Sequence, residues 1–141
     1  MRSPSTGVAL GWLLLVASAA RVSATTGPRD SRVATGSWGG AHIALSVTEV
    51  GAHVEFDCAY GDIDRPLTSD DRGNFAVDGI FVQEHGGPVR EGEEGDKKAA
   101  RYSGRVDGTT MTLDVILKDS NKKIGTFTLK HGAAPGVRKC R

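Results

Sequence analysis

The chain has 141 residues, with 18 Lys and Arg against 17 Asp and Glu and a formal net charge of +1. A charge so balanced and interspersed excludes the electrostatic footprint of a nucleic-acid or anionic-membrane binder. The length suits one domain with a single core, not two.

Residues 1–24 read as a signal peptide. Arg2 leads into the apolar run from Val8 to Ala17, and the segment ends in the small-residue pattern Val22-Ser23-Ala24 that suits signal peptidase. The run is shorter than the ~20 apolar residues a membrane span needs. Cleavage after Ala24 leaves 117 residues without Arg2 and Arg21, hence 16 basic against 17 acidic side chains. The expectation is a secreted or periplasmic monomer with no membrane attachment after cleavage. In an oxidising compartment Cys58 and Cys140 pair by default as a disulfide. Closing a loop of about 80 residues contributes roughly 4 kcal/mol in the chain-entropy picture. Neither cysteine lies in a C-x-x-C motif or has a histidine at metal-ligand spacing, so no metal or cofactor is expected.

Thr25 to Thr35 is polar, carries Gly27 and Pro28, and lacks apolar periodicity; it reads as a flexible tail. Residues 36–141 read as a single β domain. Ile43, Leu45 and Val47 alternate with polar or small residues, and so do Val54, Phe56, Cys58 and Tyr60. That is the period of half-buried antiparallel strands. Pairing Val47 with Val54, Leu45 with Phe56 and Ile43 with Cys58 places every apolar side chain on one face. The turn cluster Asp70 to Asn74 precedes a strand with Phe75, Val77 and Phe81. A polar loop from about Gln83 to Lys98 follows, with the acidic run from Glu91 to Asp96. Tyr102 and Val106 mark a strand ending in Asp107-Gly108, which favours a type I′ hairpin turn. The return strand carries Met111, Leu113, Val115 and Leu117. In the next strand Ile124 has the wrong parity for Phe127, which predicts a bulge near Gly125. Val137 and Cys140 suggest a short last strand. The fold expected is all-β: a small antiparallel barrel, or a sandwich, of about six to eight short strands with one disulfide.

Gly36-Ser37-Trp38 before the first strand resembles the G-x-W signature of the calycins: lipocalins, avidins and small bacterial metalloprotease inhibitors. The resemblance covers a few residues at each end of the chain. It implies that Trp38 plugs one end of a barrel with a basic residue from the last strand, here Arg138, packed across it. A disulfide reaching the C-terminal segment fits the same group. It also offers one inhibitor route, in which the polar segment from Thr25 to Thr35 enters a protease cleft. Closing the core is the plainer role for Trp38.

Chemistry is sparsely signalled. His42 and His53 fall on the outward parity of the first hairpin, and His131 reads as a solvated histidine. His85, flanked by Glu84 and followed by Arg90 in a glycine-rich bend, is the one candidate for anion binding or acid–base work; a solvent loop shaped by Gly and Pro is the plainer reading. Asp62-x-Asp64 begins like a calcium loop, but Pro66 and Leu67 break the pattern. No nucleophile elbow, P-loop or zinc-protease motif occurs. The reading is an exported binding protein taking either a small apolar ligand near Trp38, Tyr60 and Tyr102 or a protein partner. Protease inhibition by the tail and an enzyme centred on His85 are the alternatives.

Overall fold

The alternation along the chain becomes ten strands and, among the described residues, no helix. The computed structural model describes residues 30–88 and 96–140, with the isolated positions 4, 7, 11 and 20. The expected signal segment otherwise lies outside the described residues, as do residues 25–29, Arg90 and most of the acidic run. In chain order the strands are β1 (Ser31–Arg32), β2 (Gly36–Gly40), β3 (Ile43–Val47), β4 (Ala52–Phe56), β5 (Ala59–Ile63), β6 (Thr68–Ser69), β7 (Asn74–Gln83), β8 (Lys97–Asp107), β9 (Thr110–Leu117) and β10 (Lys123–His131). Eight of them close an antiparallel barrel in the order β10-β2-β3-β4-β5-β7-β8-β9, while β1 pairs with β6. The barrel expectation holds and the sandwich does not.

Each strand sends alternate side chains inward, as the pleat dictates. Trp38, Ile43, Leu45, Val54, Phe56, Phe81, Tyr102, Met111, Leu113, Val115 and Leu129 are all buried in one core. Among the inward positions, Gly61, Gly79 and Gly104 carry no side chain. Tyr102 lies across two of these gaps. A Cβ at Gly61 would stand 1.9 Å from its hydroxyl, and one at Gly79 would stand 3.1 Å from its ring. The hydroxyl donates to the Ile80 carbonyl at 2.6 Å, which satisfies the one polar atom this ring brings inside. Burial, aided by nearby Asp62, pushes its ionisation well above the usual phenol range, so it stays a neutral donor. Towards one end, Phe56 packs on Phe81 and Phe127 with ring centroids 5.4 and 5.5 Å apart.

The first hairpin is shifted by two residues from the expected register. Ile43 faces Phe56, Leu45 faces Val54 and Val47 faces Ala52. A shift of two keeps every side chain on its face, which is why the pattern could not distinguish the two registers. The turn decides. Thr48 Oγ1 accepts from the Gly51 amide at 3.2 Å, closing a four-residue connection at residues 48–51. The expected strand through Cys58 is in fact two. Cys58 has φ 55° and occupies a tight turn with Asp57, so the parity resets and Tyr60 points outward. The Asp107 hairpin also differs from expectation. Asp107 faces Thr110 and positive φ falls on Gly108 alone, the pattern of a type II′ turn rather than I′. The bulge does fall between Lys123 and Gly125.

Both chain ends fold back onto the barrel. Ser31–Arg32, expected within the flexible tail, pair with β6, and buried Val33 donates its amide to the Leu67 carbonyl at 2.9 Å. The tail expectation is therefore corrected from Ser31 onward: an apolar residue ahead of Trp38 has a core to enter. At the other terminus no strand forms at Val137 and Cys140. The chain turns back after His131 and passes over the outer face of Gly39, where a Cβ would meet the Ala133 carbonyl oxygen at 2.2 Å. It then bridges Ala41 through Gly136 and reaches Cys58, to which Cys140 is disulfide-bonded. Tyr102→Ala should cost about 3–5 kcal/mol, as for other buried aromatic truncations; the midpoint of chemical denaturation measures it.

Candidate functional site

The residues picked out from the sequence as a ligand mouth do not meet. Trp38 is fully buried; its indole N–H donates to the Ala34 carbonyl at 3.0 Å, fastening the N-terminal segment beneath the barrel. Tyr102 fills the interior. Tyr60 lies on the outer face of β5, its ring stacked on His53 with centroids 6.0 Å apart. The partner across Trp38 is not Arg138 but His131, whose ring meets the indole edge-on at 4.9 Å and whose Nε2 donates to the Thr35 carbonyl at 2.9 Å. Arg138 is exposed at the opposite end. His85 is exposed, Arg90 lies outside the described residues, and Glu84 sits 3.8 Å from Lys139.

Asp57 is the node that ties the C-terminal strap down. Oδ1 accepts the Arg138 amide at 2.7 Å, and Oδ2 lies 2.5 Å from His42 Nδ1 on the neighbouring turn. The Arg138 amide, with help from His42, holds the Asp57 carboxyl below its usual range. A second pair, His53 Nδ1 to Asp62 Oδ1 at 2.6 Å, lies on the outer face of β4 and β5, with Ser46 directly opposite His53. This row of Ser, His and Asp lies on a convex sheet face, and His53 Nε2 is nearest Glu55, at 3.7 Å. A nucleophile needs the base within about 3 Å and donors for an oxyanion, and among the described residues Ser46 makes no hydrogen bond to His53. Nor, among the described residues, do three His, Cys, Asp or Glu side chains converge there as a metal site requires.

A concave feature of the surface lies elsewhere, where β5 and β7 part. Pro66, three residues past Ile63, has no N–H to donate to a ladder. Pairing of β5 with β7 stops at Asp62↔Ile80, ahead of this proline, while β7 continues against β8 back to Asn74. The chain from Arg65 to Thr68 swings away, leaving a cleft of about 240 Å³ lined by Arg65, Leu67, Phe75, Val77, Asp78 and Arg101 among others. Asp78 is bonded by Lys118 Nζ at 3.0 Å, and Lys118, with Arg101 and Arg65 nearby, holds its carboxyl below the usual range. One carboxylate is thus shared by three cations, and the cleft carries an excess of positive charge.

No protein-family model, curated protein or solved structure matches the chain. The cleft was not legible beforehand. Arg65 and Arg101 are ordinary in sequence, and the one available signal was Pro66 so soon after a strand.

The Asp57 clamp makes a pH prediction. A carboxyl with a depressed folded-state pKa contributes stability above its unfolded value of about 4, lost as pH falls through the folded value. The Arg138 amide should keep its hydrogen-exchange protection factor from neutral pH down to about 4 and lose it below. In Asp57→Asn the protection should be lower and insensitive to pH over this range.

Proposed function

We propose that this protein is an exported binding module, a calycin-like barrel that engages a protein partner on its outer surface at the opening between β5 and β7. The observation that carries this reading is the filled interior. Tyr102 spans the space left by Gly61 and Gly79, and the Phe56, Phe81 and Phe127 rings pack beyond it. A carrier of apolar ligands needs an enclosed cavity of roughly 300–1,000 Å³. The cleft at β7, about 240 Å³ and open to solvent, suits side chains of a macromolecule better than a whole lipophilic ligand. The disulfide is compatible with an oxidising secreted or periplasmic location. The tail-inhibitor alternative loses ground, because Ser31 to Val33 are held by β6 and Leu67, leaving only the residues ahead of them to enter a cleft.

The reading is tested by placing a photo-crosslinking side chain at Ala76, in the cleft, or at Ser46, on the opposite face, and irradiating the protein in its producing cells. A discrete protein adduct from position 76 and none from position 46 is the expected result. Saturable uptake of a fluorescent fatty acid at one per barrel, with no adduct from position 76, would overturn it.

A further inference from the structure

Resting on that reading, we infer that the cleft is an edge-strand docking site for a short extended segment of the partner that alternates acidic and small apolar side chains. The backbone supplies the first half of the case. Of β7, residues 74–79 pair with β8 on one side, and the β5 ladder on the other side ends at Ile80. The Ile80 carbonyl lies on the β5 side, 2.6 Å from where a Gly61 Cβ would be, and the Asn74 carbonyl accepts from Asp70 on that same side. Strand backbone groups alternate in direction, so Ala76 and Asp78 turn their N–H and C=O into the cleft as well. Two consecutive ladder positions stand ready for an added strand.

The side chains supply the second half. An added strand repeats the pleat, with alternate residues facing out and in. Its outward residues would lie on the face of Asp78 and Arg101, which stand directly opposite each other across β7 and β8. Arg65 and Arg101 have no carboxylate among the described residues except the shared Asp78, which Lys118 already engages. Guanidinium groups match carboxylates with two parallel hydrogen bonds, a geometry a lysine does not offer. Inward residues would meet Leu67, Phe75 and Val77, which favours small apolar groups there. A second copy of this chain is a poor occupant, because edge-to-edge pairing about a two-fold axis would set like charges against each other.

The test titrates an acetylated, amidated peptide alternating valine and glutamate into the full-length, disulfide-intact, isotopically labelled protein. Two companion peptides replace glutamate by glutamine or methylate the backbone nitrogens that would face β7. Binding is expected to shift the Ala76 and Asp78 amide resonances. The glutamine peptide should bind at least tenfold more weakly, the methylated peptide should not bind, and Arg65→Glu or Arg101→Glu should weaken binding at least tenfold. Both arginines are exposed, so Arg65→Gln and Arg101→Gln, which set no like charge against Asp78, should weaken binding in the same direction and keep the wild-type thermal midpoint.

Equal binding of the glutamine or methylated peptide would overturn the inference. So would full competition by inorganic sulfate at an affinity matching the peptide's, which would mark a simple anion site. A concentration-dependent dimer shifting the same amides would assign the edge to a second copy instead. If the acidic peptide fails while crosslinking at position 76 still captures a protein, the acidic-strand inference falls and outer-surface binding stands. If both fail, both readings fall.

Discussion

One aromatic ring fixes what this barrel is able to do. Eight strands enclose a lumen just wide enough to be filled by side chains or to hold one small ligand, and Tyr102 takes the first option. Its ring occupies the room that Gly61 and Gly79 leave empty on two neighbouring strands, so the three residues form a single packing unit contributed by β5, β7 and β8. The hydroxyl is satisfied by Ile80, and among the described residues no buried side-chain polar atom lacks a partner. With the lumen filled by side chains, the concave surface of the sheet lies outside it. There the parting of β5 from β7 after Asp62 leaves backbone groups and positive charge in the same place.

The two ends of the barrel are finished by different means. At one end the N-terminal segment is held from within: Trp38 grips the Ala34 carbonyl, His131 covers the indole and grips Thr35, and Val33 enters the core. At the other end the C-terminal segment is held from outside, by the Asp57 carboxylate, by backbone bonds to Gly40, His42 and Cys58, and by a covalent link. A histidine at the end of β10 takes the place that resemblance assigned to Arg138. Both side chains offer a flat, polar-edged group to an indole, but only His131 lies within the β10–β2 seam opposite Trp38.

Much of the fold was legible in the sequence because a period of two is a local signal. The inward faces of β3, β9 and β10, the bulge near Gly125 and the disulfide partners all followed from alternation and composition. Errors arose where parity was reset by a turn the pattern did not mark. Cys58 adopts a left-handed conformation that glycine or asparagine usually signals, so the strand was read straight through it and Tyr60 was assigned to the wrong face. The cleft was harder still. It is created by the point at which two strands distant in sequence cease to pair, and Arg65 and Arg101 are brought beside Asp78 only by that tertiary event. Periodicity carries no record of it.

The C-terminal strap also governs how the molecule bears load. The barrel is closed between β10 and β2 by only three residue pairs, Leu129↔Gly40, Lys130↔Gly39 and His131↔Trp38. A pull on the C-terminus would ordinarily peel β10 from β2 pair by pair, beginning at that seam. Here tension arriving at Cys140 passes through the disulfide into Cys58, in the turn between β4 and β5. The load enters the middle of the sheet, and the weakest seam is bypassed as long as the two sulfurs remain joined.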